Sequence, residues 1–166
     1  MVHVTSVSAN LYEIPVDMPF KAEPIRSEYV LAKVETSEDI TGYGLTGMLW
    51  THPTKQFITD EIGPLLEGEN PIETERLLDS LRDDLNPRYQ TGVWNTAFSA
   101  VDIALWDIKG KYLQQPVWRL LGGAQKTVPY YVTFGLLEYS EEEVVDVAEE
   151  YVSRGESQIG RASCRE

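Results

Sequence analysis

Residues Ala97 to Gly122 read AFSAVDIALWDIKGKYLQQPVWRLLG, and the rest of the chain is organised around them. Ala97, Ala100, Val101, Ala104, Leu105, Ile108 and Tyr112 recur at three- and four-residue steps, which lines them along one face of a helix. Three of these seven are alanines, so another backbone could approach this face closely. Asp107 and Lys111 stand four apart with the acid first, the order that supports a helix. Gly110 weakens the last turn, Pro116 ends the helix nearby, and Leu120-Leu121-Gly122-Gly123 makes an apolar anchor with a flexible exit. Asp102 and Asp107 invite pairing as an acid and a base. Five residues at 3.6 per turn, however, put them about 140° apart around one helix, so they cannot converge on one substrate. The plainer reading is a packing helix with a solvated back.

On the N-terminal side, Val2 to Tyr12 reads as a strand. Val7, Ala9 and Leu11 alternate, Val2 and Val4 lie in the opposite phase, and a slip falls at Thr5-Ser6. Pro15, Pro19 and Pro24 exclude a central strand or a helix interior from residues 13–26. Tyr29 to Thr36 and Ile40 to Leu45 read as two further strands joined by Ser37-Glu38-Asp39, the latter thinned by Gly42 and Gly44. Short links between sequential strands predict an antiparallel meander. After a second loop, Thr46 to Pro53, the period becomes helical. Phe57, Ile58, Ile62, Leu65 and Leu66 mark one helix, kinked or split at Gly63-Pro64. Asn70 caps the next, with Pro71 at its first position and Ile72, Leu77, Leu78, Leu81 and Leu85 on its buried side. Strands followed by helices make the first 125 residues an α+β domain.

Beyond it, Thr127 to Phe134 reads as an apolar strand. Ser140 and Glu143 form a capping box for a helix over Glu141–Ser153, with Val144, Val145, Ala148, Tyr151 and Val152 facing inward. Strand, loop and helix make the first repeat of a parallel barrel. After Gly155 the pattern fails: ESQIGRASCRE shows neither alternation nor a continuous apolar run where a second barrel strand is due.

Fourteen Lys and Arg against 27 Asp and Glu leave a net charge of −13, which argues against nucleic acid or an anionic membrane as partner. The single cysteine, Cys164, excludes an internal disulfide and argues against a cysteine metal site. No stretch is long and apolar enough to span a membrane, and no secretory signal is visible, so a cytoplasmic protein is expected.

The run A-x-S-A-V-D-x-A-L-x-D-I-x-G-K-x4-P-V-x2-L-L-G over Ala97–Gly122 resembles the first signature of the mandelate racemase/muconate lactonizing enzyme group of the enolase superfamily. The resemblance extends from about Val4 to Gly155. It implies a three-stranded antiparallel meander followed by a helical bundle, then the first βα unit of a truncated (β/α) barrel. The expected domains are a capping domain over 1–125, an incomplete TIM-type barrel over 126–155 and a non-matching tail over 156–166. That tail is expected to come from truncation, a frame shift or added sequence. Relatives carry a lysine-rich catalytic strand at this point, whereas no lysine follows Lys126.

The resemblance also implies chemistry: abstraction of the proton next to a carboxylate, with Mg²⁺ stabilising the enediolate, and a homo-oligomer when intact. An acid-sugar dehydratase is one form of this. A racemase, epimerase or cycloisomerase is the alternative within the family, and a non-catalytic binding module made from an orphaned cap is the alternative outside it. No metal ligand and no base is expected in this chain, because in the family they lie on later barrel strands. What the chain would contribute is a lid. Two capping-domain loops, here roughly Val16–Arg26 and Thr46–Thr54, help to set substrate choice. Met18, Phe20, Trp50 and His52 are the expected contacts, with Lys21 and Arg26 as partners for a substrate carboxylate. Against this stands a plainer reading, in which Met18 and Phe20 pack under their own loop and His52 is a surface residue. One of Tyr130 and Tyr131 is a weaker pocket candidate, since neighbours on a strand point to opposite faces.

Overall fold

The computed structural model describes residues 1–47, 49–85, 91–134 and 139–161. Three strands open the chain: β1 (Val4–Val16), β2 (Ile25–Thr36) and β3 (Thr41–Thr46), hydrogen-bonded in the order β1-β2-β3. Helices α1 (Thr51–Phe57), α2 (Gly63–Leu66), α3 (Thr74–Asp84), α4 (Val93–Tyr112) and α5 (Val117–Leu120) follow. Then come β4 (Val132–Phe134), α6 (Glu141–Ser153) and β5 (Ile159–Arg161). The expected meander and the helices after it are present. The chain divides into two compact units: Met1–Ile14 with Arg26–Ala124, and Pro15–Ile25 with Gln125–Glu166.

In the first unit β2 and β3 run antiparallel with Ala32 opposite Gly44 and Val34 opposite Gly42. Val30, Ala32 and Val34 are wholly buried, and α4 lies against this face. Gly42 and Gly44 make that contact possible. A Cβ built on Gly44 would sit 1.8 Å from the carbonyl oxygen of Ala100, and one on Gly42 would sit 2.2 Å from that of Ala104. The alanines of α4 therefore meet glycines, and backbone meets backbone. Ala97, Ala100, Val101, Ala104, Leu105 and Ile108 are fully buried as their spacing predicts, and Trp94 and Phe98 join them. Tyr112, at the end of the stripe, is instead substantially exposed.

Asp107 and Lys111 do more than pair with each other at 2.6 Å. The Tyr43 N–H donates to Asp107 Oδ2 at 2.9 Å, and Lys111 Nζ donates to the Thr41 carbonyl at 2.7 Å. Both backbone groups belong to β3, the outer strand, so α4 satisfies two main-chain groups of the edge that it covers.

The slip in β1 is real: Val4 and Val7 are both buried, three residues apart, followed by Ala9. Pro15 falls inside β1, which tolerates it as the outer strand on the other side. The helix broken at Gly63-Pro64 contains a π segment over Ile58–Ile62, where the Gly63 N–H reaches back five residues to the Ile58 carbonyl. That wider turn precedes a proline that has no N–H to give. Ile58, Ile62 and Leu66 are buried, whereas Leu65 is turned outward. Asn70 does not cap α3. Its Oδ1 accepts from the Ile72 N–H and its carbonyl from the Glu73 N–H, so it closes a turn of its own, and the helix begins one residue after Glu73. Leu77, Leu78 and Leu81 face the core as expected. Asn86-Pro87, where the sequence predicts the end of this helix, lies outside the described residues.

In the second unit β4 and β5 pair in parallel, Val132 with Ile159 and Phe134 with Arg161. Three expectations change here. The strand expected over Thr127–Phe134 is confined to Val132–Phe134, the residues that have a partner. And Ile159–Arg161 forms a strand although its sequence shows no strand pattern. Ladder bonds come from the backbone, so a segment returning after a helix pairs without side-chain alternation. The inward position of α6 is Val147, fully buried, while Val145 and Val152 are exposed. The capping box is complete, with Ser140 and Glu143 bonding reciprocally.

Substituting Gly44→Ala or Gly42→Ala is expected to cost several kcal/mol, about 3 or more, because the clash is with helix backbone and no side chain can yield. Chemical denaturation of each variant measures this, and adding Ala100→Gly is expected to restore nothing.

Candidate functional site

The candidate residues fall in two segments. In the unit that holds residues 15–25, Met18 to Lys21 form a tight turn closed by the Lys21 N–H to the Met18 carbonyl at 3.2 Å. Proline at the second position presets such a turn. At the third, where glycine is usual, stands Phe20 with φ +60°. Its ring is 59% exposed, whereas Met18 is half-buried. Lys21 is engaged: its Nζ lies 2.9 Å from each carboxylate oxygen of Glu143 and 5.0 Å from the centre of the Tyr139 ring.

In the other unit, Trp50 stands immediately before α1, also left-handed at φ +60° and 65% exposed. Its carbonyl accepts the Thr54 N–H at 2.8 Å, the first bond of the helix. His52 is exposed, with Nε2 3.9 Å from Glu28 Oε2. The Thr51 hydroxyl donates to the other oxygen of Glu28. Arg26 pairs with Glu13 at 2.6 Å on an exposed stretch of the sheet. Trp50 and His52 thus share one helix start, with Glu28 beside them. Met48, in the same loop, lies outside the described residues.

Two large aromatic side chains in left-handed backbone are the notable feature. A bulky residue there costs about 1–2 kcal/mol relative to an ordinary conformation, and such strain clusters at functional sites. Neither ring recovers the cost by burial. The family resemblance marks both residues as candidates through their loops; nothing in the sequence marks their backbone. Glu28, Thr51, Tyr139 and the second role of Glu143 were not legible either, since each depends on a partner distant in the chain. Tyr130 and Tyr131 are both largely exposed. The Tyr130 hydroxyl donates to Glu156, and that bond to a carboxylate holds its pKa above the ordinary phenol value.

The first unit also has a groove of about 590 Å³ along α4, lined by Tyr43, Ile103, Trp106, Val117, Leu121 and the carboxylates of Asp102 and Asp107. Burial pushes the Asp102 carboxyl above the usual aspartate range, Glu75 adds to this, and Arg82 opposes it. Among the described residues, no group of three His, Cys, Asp or Glu side chains is placed to hold a metal ion, and no helix is long and apolar enough to cross a membrane.

The family model for the mandelate racemase / muconate lactonizing enzyme N-terminal domain matches residues 1–122, and the chain belongs to that family. D-galactarolactone cycloisomerase of Agrobacterium fabrum is 31% identical over 155 residues, which are 91% of this chain and 40% of the relative. Arabinonate dehydratase of Saccharolobus solfataricus is 34% identical over 133 residues, 77% of this chain and 35% of the relative. The crystal structure of a mandelate racemase/muconate lactonizing protein from Paracoccus denitrificans, complexed with magnesium, superposes with a TM-score of 0.80 at 29% identity, covering all of this chain and 43% of that one. The chain therefore spans about two fifths of the length of the curated relatives that it matches, and its architecture is the family's N-terminal domain with the start of the barrel.

Two outcomes are expected. Trp50→Gly should be neutral or stabilising by up to about 1 kcal/mol in thermal denaturation, because it removes left-handed strain without uncovering a core. For Asp102, a raised folded pKa means that the fold prefers the neutral acid, so stability falls as pH rises through that pKa. Asp102→Asn should accordingly raise the Tm at pH 7, with the gain disappearing at about pH 3, where aspartate is already protonated.

Proposed function

We propose that this chain is the substrate-selecting cap of a magnesium-dependent enzyme that removes the proton next to a substrate carboxylate, acting on acid sugars as a dehydratase. The family match over residues 1–122 carries the reading, and the dehydratase among the relatives supports the reaction. Cycloisomerisation is the second reading, favoured by the relative that aligns with 91% of the chain.

A proton next to a carboxylate is very weakly acidic, so its removal needs a cation on the carboxylate oxygens and a base beside the carbon. Magnesium supplies the first when bound. The described residues do not fit such an ion, having no cluster of three ligands, and this span is assigned neither ion nor base. Its own contribution is contact and exclusion of water. Met18, Phe20, Trp50 and His52 are proposed to touch substrate. An exposed ring in strained backbone suits that task, because a substrate that covers it removes apolar surface from water. Lys21 and Arg26 reach a substrate carboxylate only by leaving Glu143 and Glu13. For Arg26 the exchange is the easier one, since exposed pairs are weak. The same reading makes the intact protein a cytoplasmic homo-oligomer, with which the net charge of −13 is in keeping.

The test is turnover of an acid-sugar panel by the chain joined to a complete barrel and by residues 1–166 alone. Activity that EDTA abolishes is expected from the first and none from the second; turnover by the second would overturn the reading. In the complete enzyme, Phe20→Ala and Trp50→Ala are each expected to lower kcat/KM by roughly 10-fold or more, the effect of one lost apolar contact.

A further inference from the structure

We propose that Tyr139 and Glu143, at the start of α6, are positioning residues that clamp the Met18–Lys21 turn and so hold Phe20 in its left-handed conformation with its ring presented to solvent. The argument begins with the turn itself. Its single closing bond, Lys21 N–H to the Met18 carbonyl, is 3.2 Å long. Proline at the second position fixes one φ only. Phenylalanine at the third has none of the freedom that lets glycine occupy φ +60°. One backbone bond at the surface does not hold a bulky residue there.

The restraint comes from outside the turn, on both sides of Phe20. The Tyr139 hydroxyl donates to the Pro19 carbonyl at 2.8 Å, and Tyr139 is only 3% exposed, so this bond is shielded from water. On the other side, Lys21 Nζ bridges the two oxygens of Glu143 at 2.9 Å each and lies over the Tyr139 ring. The anchor is itself oriented. Glu143 Oε2 accepts the Ser140 N–H at 2.8 Å, and the Ser140 hydroxyl accepts the Glu143 N–H at 3.2 Å. The bond from the Ser140 backbone, and next Lys21, hold the Glu143 carboxyl below its ordinary range, so it is charged when it meets the lysine. The capping box thus starts the helix and also fixes the carboxylate that receives Lys21. All of these residues belong to one compact unit.

The clamp does not rest on the proposed activity, because its readout is backbone exchange rather than turnover. Amide hydrogen exchange is followed residue by residue on the 166-residue chain, with Lys21, whose N–H closes the turn, as reporter. Tyr139→Phe, Glu143→Gln and Lys21→Met are each expected to accelerate exchange there by about tenfold, the effect of losing one shielded or charge-assisted bond. Gln keeps the capping box, so α6 should retain its protection and the Tm should not move. Lys21→Arg should exchange like the wild type. Phe20→Gly, placed on Tyr139→Phe, should return the rate toward the wild-type value, since no strain is left to release. Unchanged exchange in the three loosening variants would overturn the proposal. So would acceleration spread evenly along α6, or Lys21→Arg behaving like Lys21→Met.

Discussion

The constraint on which the fold depends is the contact of β3 with α4 without intervening side chains. Gly42 and Gly44 bring a strand within reach of the Ala100 and Ala104 carbonyls, at distances that any Cβ would forbid. Because the helix sits so close, Ala32 and Val34 across the ladder are sealed, and Leu105 and Ile108 are wholly buried. At this separation Asp107 and Lys111 can also reach the main chain of β3 directly. Core, sheet edge and helix orientation thus follow from two residues that have no side chain.

That contact shows where the sequence was legible and where it was not. The alanines of α4 announced a face made for close approach, and their spacing placed the helix correctly. Gly42 and Gly44 looked like weaknesses in a strand, because a sequence shows what glycine lacks and not what fills the space. The pair Asp107–Lys111 was read as helix support, which it is, yet its bonds to β3 span 64 and 70 residues and have no local signature. Local signals that close on themselves, such as the Ser140–Glu143 box, were read in full. Asn70 closes a turn where its position predicts a cap, because a short polar side chain can do either. β5 leaves no trace in the sequence because three residues paired through backbone need no pattern.

The candidate site divides in the same way. Loop composition and family resemblance pointed to Met18, Phe20, Lys21, Arg26, Trp50 and His52, but not to their partners. Glu143, Glu13 and Glu28 take up the three cationic or ionisable groups among them. What is left exposed and without a backbone excuse is aromatic: Phe20 and Trp50, both left-handed. A sequence carries no mark of a positive φ unless glycine or asparagine stands there, so this feature belongs to the structure alone.

The occupation of two main-chain groups of β3 by α4 also limits how this unit can meet its neighbours. The Tyr43 amide and the Thr41 carbonyl are groups through which an outer strand would recruit another chain, and each is already occupied by a side chain from the helix. Continuous sheets shared between subunits are therefore closed to this flank where those two groups lie. A neighbour meeting this stretch would do so through exposed side chains such as Tyr43 and Leu45 rather than through those two main-chain groups.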